Sequence, residues 1–229
     1  LMRDKEVTGM KKCFGILMVT LATAILMVAP AAADSWNVGD QITYTLSNPV
    51  GTPSGSGGLF TITNSDTNAV TRSFCIELNE HIYQNDFVAG VSGTAVDGGR
   101  GGGSPDPISA ATDWLFAQFS TGISSYQDTR ALQIAFWLME QEMTPEEATS
   151  WASTYSWGSA LGTANSYIAA ASGADGYYGT RVLNLADAAG KPHQSQLVHN
   201  PVPVPPALLL LGSGLIGLLT VRRRKTRPE

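Results

Sequence analysis

The residue with the most chemical potential in this chain is a thiol. Of the two cysteines, Cys13 lies in an apolar N-terminal run and Cys75 in a strand-like segment, residues 70–78 (VTRSFCIEL). A thiol attacks only as its thiolate, which calls for a lowered pKa or a nearby base. Along the sequence Glu77 and His81 are the nearest groups able to act so. A cysteine without a partner in its own domain has three fates: it is buried and inert, it pairs between molecules, or it reacts. A Cys75/His81 or Cys75/His193 protease dyad would need an orienting third residue and an oxyanion site, and no signature supplies them.

Other site chemistries find less. Three histidines, scattered and without cysteine spacing, do not make a zinc site. The acidic residues lack the spacing of a calcium loop, so no metal and no cofactor are expected. Glycines 98–99 and 101–103 flank Arg100, but no Lys-Ser/Thr follows, so the phosphate-loop pattern fails. Glu146 and Glu147 read as a helix cap. Trp114, Trp151 and Trp157 are able to stack on sugars, yet at helical spacing they read first as core. Residues 34–200 carry 5 Lys and Arg against 16 Asp and Glu, a balance of −11 beside −5 for the whole chain. Such an acidic surface excludes a nucleic-acid partner. No turnover enzyme is expected, and a secreted hydrolase has no site to support it.

The elements that must position Cys75 follow from periodicity. Alternation predicts strands at 40–46 (DQITYTL), 59–63 (LFTIT), 70–78 and 81–91, with a Gly/Pro/Ser turn over 49–58 and a loop over 90–107. Helices are predicted over 107–120, over 129–142 capped by Asp128, from the capping box Thr144-Pro145-Glu146-Glu147, and over 159–171. Strands return at 180–186 and 194–198. No internal repeats occur. The order predicts an α+β domain over residues 34–200, with β-sandwich or barrel-like strands and an inserted helical subdomain.

Both ends read as export signals. Met10-Lys11-Lys12, the apolar run 13–30 and Ala31-Ala32-Ala33 form a signal peptide (1–33), with Ala31 and Ala33 as the small residues signal peptidase needs and cleavage before Asp34. Residues 1–9 then precede the true start at Met10. At the other end stand a hinge (Val202-Pro203-Val204-Pro205-Pro206), an uncharged span over 207–221 and the cluster Arg222-Arg223-Arg224-Lys225. The span would reach only about 22 Å as a helix, against a hydrocarbon core of about 30 Å. This is read as a single transmembrane helix in a sorting signal, basic end in the cytoplasm.

That order of Pro motif, Leu/Gly-rich span and Arg cluster over 201–229 resembles the PEP-CTERM sorting signal of Gram-negative bacteria. The family pattern is usually Val-Pro-Glu-Pro, where this chain has Val202-Pro203-Val204-Pro205. The resemblance implies processing by an exosortase, passage through the inner membrane, and delivery to the outer surface or extracellular matrix.

A second resemblance covers about residues 74–142. Phe74-Cys75-Ile76-Glu77 and Leu132-Gln133-Ile134-Ala135-Phe136-Trp137 resemble thioester domains of bacterial surface adhesins, with Gln133, Ala135 and Trp137 matching the helix motif. Leu132 stands where the family has Thr and Phe136 where it has Ile. The resemblance implies that Cys75 Sγ attacks the Gln133 carboxamide, expels ammonia and leaves an internal thioester, shielded by Phe74, Phe136 and Trp137. The plainer alternative is that Cys75 packs and Gln133 bonds a neighbouring backbone. The expectation is an exported surface or matrix protein of structural or adhesive role, associated with exopolysaccharide. Its alternative is a covalent adhesin acting on surface amines.

Overall fold

The computed structural model describes residues 36–199. The leader, with Ala31, Ala33 and Asp34, and the sorting tail, with Val202, Pro203, Pro205, Arg222, Arg223 and Arg224, lie outside the described residues. Among the described residues no helix is long and apolar enough to cross a membrane.

Period-two patterning builds the first sheet, in the order β1 (Ile42–Thr52), β2 (Gly55–Asn64), β3 (Val70–Ser73), all antiparallel. Ile42, Phe60 and Ile62 point to the core with 1% exposure or less. The expected turn over 49–58 is instead mostly strand. Only Pro53 and Ser54 lie between the paired segments, because a register shift between Ser47 and Val50 accommodates Pro49, with Asn48 at a φ of 49°.

The expected strand 70–78 also differs: β3 stops at Ser73 and the chain changes sheets. Ser73 Oγ donates to the Leu197 carbonyl at 2.6 Å. Leu197 N–H then donates to Phe74 O (2.9 Å), and Ile76 N–H to Ser195 O (3.2 Å), with Cys75 bridged to Gln196. Cys75 therefore sits on a crossover that leaves one sheet and runs beside the edge of another.

The second sheet has the order β4 (Phe87–Ser92), β7 (Thr180–Ala186), β8 (Pro192–His199). β4 begins later than expected from 81–91 because residues 83–86 turn, Asp86 accepting the Tyr83 N–H at 2.8 Å. Bonds between Gly39, Asp40 and Val88, and from Ile42 N–H to Asp86 O, join the start of β1 to β4. The segment expected as a loop, 90–107, carries a small pair, β5 (Thr94–Ala95) and β6 (Asp106–Pro107).

Four α-helices lie between β6 and β7. α1 (Ala110–Ser120) is capped by Ser109, and Pro107, expected inside it, pairs with Thr94 instead. α2 (Thr129–Met139) is capped by Asp128, whose carboxylate accepts from Arg130 and Ala131 N–H. It ends short of Glu142, as Gln141 turns into the left-handed region at φ 63°. α3 (Pro145–Thr154) has the expected capping box with both reciprocal bonds. α4 (Ala160–Ala171) packs on α2, which also lies on β1 and β2. Residues 131–137 of α2 are all buried, so this helix is the centre of the core. The chain is thus a mixed α+β protein with antiparallel sheets and four helices among its described residues.

Candidate functional site

Cys75 and Gln133, 58 positions apart in sequence, meet at the centre of the molecule, each with 0% exposure. The sheet-changing crossover delivers the cysteine and the fifth residue of α2 delivers the glutamine. The thiol donates to Gln133 Oε1 at 3.3 Å. Gly58 N–H donates to the same oxygen at 3.1 Å, and Gln133 Nε2 donates to the Cys75 carbonyl at 2.9 Å. A backbone N–H only donates and a carbonyl only accepts, so these two bonds fix which end of the carboxamide is oxygen.

The approach of β2 to this pair depends on glycine. A Cβ on Gly57 would collide with the Trp137 ring and stand 3.0 Å from Gln133 Cδ. Trp137, one helical turn after Gln133, lies on the same helix face. Its indole N–H is buried and lies beside the Cys75 sulfur, where it favours the thiolate. Phe74, Phe136 and Trp137 are at most 1% exposed, as the shielding role requires. Phe74 sits within an aromatic cluster, 5.1 Å from Phe119, 5.3 Å from Phe136 and 6.4 Å from Phe116 between centroids.

Electrostatics keep the resting thiol protonated. Burial, and secondly the Glu77 carboxyl, push the Cys75 thiol well above its usual value. The sequence requirement of a lowered pKa or adjacent base is therefore not met by the free thiol. Glu77 is itself pushed up to about 9 by burial and by Glu80, so it is a neutral acid at pH 7. Its Oε2 accepts the Ser195 N–H at 2.9 Å, while Oε1 has no partner among the described residues.

The histidines of the rejected dyads lie elsewhere. His193 pairs with Asp86 at 2.8 Å and packs against the Tyr83 ring, 4.6 Å between centroids and tilted by 50°. His81 is exposed, on the wall of a pocket of about 110 Å³ that also includes Trp137. Trp157 is buried, and Trp114 and Trp151 are half-buried against the core.

Three contributors escaped the sequence reading. Gly57 and Gly58 fell within a supposed turn; a glycine run between two strand patterns is itself a sign of close backbone approach. Glu142, 1% exposed, accepts N–H bonds from Leu78 (2.7 Å), Arg100 (3.0 Å) and Gly101 (3.1 Å). It fixes the glycine-rich loop against the segment that follows Glu77, so that loop is anchored. Nothing in the spacing marked it.

What the arrangement can do follows from these contacts. A protonated thiol lies against a carboxamide whose oxygen already receives a backbone N–H, in a site without water-facing surface. Compared with known proteins, the chain matches no family model, no curated protein and no solved structure.

Proposed function

We propose that this is an exported surface or matrix protein whose domain forms an internal thioester between Cys75 and Gln133 and captures a partner covalently. The observation that carries this is the 3.3 Å contact of Cys75 Sγ with Gln133 Oε1, in a carboxamide oriented by Gly58 and by Cys75's own carbonyl. In the bond-forming step the sulfur attacks Gln133 Cδ and the C–N bond breaks. Ammonia leaves with the proton the thiol gives up, so nothing external is consumed. Gly58 N–H stays on the oxygen as charge develops there. Glu77, neutral and with an unpartnered oxygen, is the group suited to relay the proton. The product is a stored acyl group that reacts once, which is why the protein is not an enzyme in the turnover sense.

The finer fold belongs to the same reading. Bonds from β1 to β4 and from residues 74–76 to β8 support one barrel-like wall with the helices inserted after β6. The proline hinge and basic cluster support sorting by an exosortase in a Gram-negative bacterium, after signal peptidase has acted. An exopolysaccharide-rich surface or matrix is then the destination. The raised thiol pKa favours a second reading, a structural protein in which Cys75 and Gln133 are a hydrogen-bonded core pair. Reaction with methylamine separates the two: the thioester takes up one amine per chain at Gln133, and the core pair takes up none.

A further inference from the structure

Whether its sulfur forms a thioester or stays a free thiol, Cys75 is sealed from solvent, so what unseals it stands apart from that reading. Residues 97–104 (DGGRGGGS) contribute no apolar side chain, and no hydrophobic burial of their own holds them down. The base of this segment is fixed. β5 pairs with β6, and Asn184 of β7 grips the Val96 N–H (2.9 Å) and the Thr94 carbonyl (3.0 Å). On the outside of the exposed tip, Arg100 reaches Glu147 and the face of Trp151. On the inside, the Arg100 and Gly101 N–H groups donate to the Glu142 carboxylate, which has no cationic partner among the described residues.

Glu142 reaches inward as well. Its Oε2 takes the N–H of Leu78, three residues past Cys75, and its own N–H donates to Trp137 O at 2.8 Å. After burial and Glu77, the charge of Glu142 also raises the Cys75 thiol, which puts this carboxylate within electrostatic reach of the sulfur. One buried side chain therefore fastens the surface segment to the crossover carrying Cys75 and to the helix carrying Gln133. We propose that residues 96–105 are a flap at the Cys75 site, hinged at the β5/β6 pair and latched by Glu142, and that unlatching is how solvent and small reagents reach the thiol. A Cβ on Gly99 would fall on the Glu142 carboxylate and one on Gly101 on the Gln141 carbonyl, so the tip closes only as bare backbone. Opening exposes no apolar side chain of the flap itself, which makes it a local event.

The test follows hydrogen exchange, and alkylation of Cys75 by iodoacetamide, in the full chain after methylamine has freed any thiol held as a thioester. Glu142→Gln sets an amide N–H₂ against backbone donors, and Gly101→Ala lifts the tip while leaving the carboxylate in place. Each should speed exchange of residues 76–80 and 98–103, and alkylation of Cys75, about tenfold or more, while β7 and α4 exchange as in the wild type. Where Glu142→Gln does not fold, Gly101→Ala decides. Faster exchange of 98–103 with Cys75 alkylated at the wild-type rate would overturn the flap and leave the thioester reading untouched. Equal acceleration of β7 and α4, which signals unfolding, would overturn it too. A chain without the ammonia deficit would overturn the thioester and leave the flap standing.

Discussion

Gln133 Nε2 donates to the carbonyl oxygen of Cys75 at 2.9 Å, so the carboxamide is gripped by the main chain of the residue whose thiol lies against its oxygen. One residue thus supplies the nucleophile and orients the group to be attacked. The same grip is structural. Gln133→Ala would leave the Gly58 N–H and the Cys75 carbonyl unpaired and open a cavity, destabilising the fold by about 2–4 kcal/mol. A urea melt reads this; a loss under about 0.5 kcal/mol would show that the carboxamide is not held as described.

Gly57→Ala tests the close approach of β2. Its methyl would meet the Trp137 ring and stand 3.0 Å from Gln133 Cδ. Overpacking of this kind costs about 1–3 kcal/mol. The variant should also lose methylamine reactivity, since Gln133 must move. Full stability together with full reactivity would contradict the geometry.

Glu77 predicts a pH dependence. Its carboxyl is raised from 4.5 to about 9, so the folded state keeps a proton that the unfolded chain releases. The stabilising contribution is complete below about pH 4.5 and is lost as pH rises towards about 9, at up to about 1.4 kcal/mol per pH unit. Glu77→Gln should flatten unfolding free energy measured from pH 6 to 9 and be more stable than wild type at the alkaline end. Glu140, raised by its own burial, and Glu80 act in the same direction, so some slope remains. An unchanged slope would mean Glu77 is ionised in the folded protein.

Two nearby charged residues should behave oppositely. Glu142→Ala strands the N–H groups of Leu78, Arg100 and Gly101 and should destabilise by about 3 kcal/mol or more. It should also expose the 98–103 loop to proteolysis. Arg100→Ala removes a surface pair with Glu147, at 35% and 30% side-chain exposure, and a 5.8 Å contact over the Trp151 ring, and should change stability by about 1 kcal/mol or less. Thermal melts of both variants check the contrast.

How much of this was legible in the sequence depends on the range of the interaction. The Thr144/Glu147 box and the Asp128 cap are local, and both form as written. Cys75 and Gln133 were paired through motif resemblance, since no periodicity connects positions 58 apart. The strand 70–78 was over-extended because alternation persists across the sheet change, which is set by partners on β8 that the segment does not encode. Gly57 and Gly58 looked like turn residues because turns and close backbone approaches both select glycine. Glu142 was invisible for a simpler reason: its partners are backbone N–H groups, which every residue but proline carries.

The most direct measurement is the intact mass of the purified chain beside its Cys75→Ala variant, before and after methylamine. The account predicts a wild-type mass short by one ammonia, a variant mass with no deficit, and one methylamine added to the wild type alone. Equal agreement of both chains with their calculated masses, with a thiol titrating freely after unfolding, would contradict it and leave Cys75 and Gln133 as a hydrogen-bonded pair in the core.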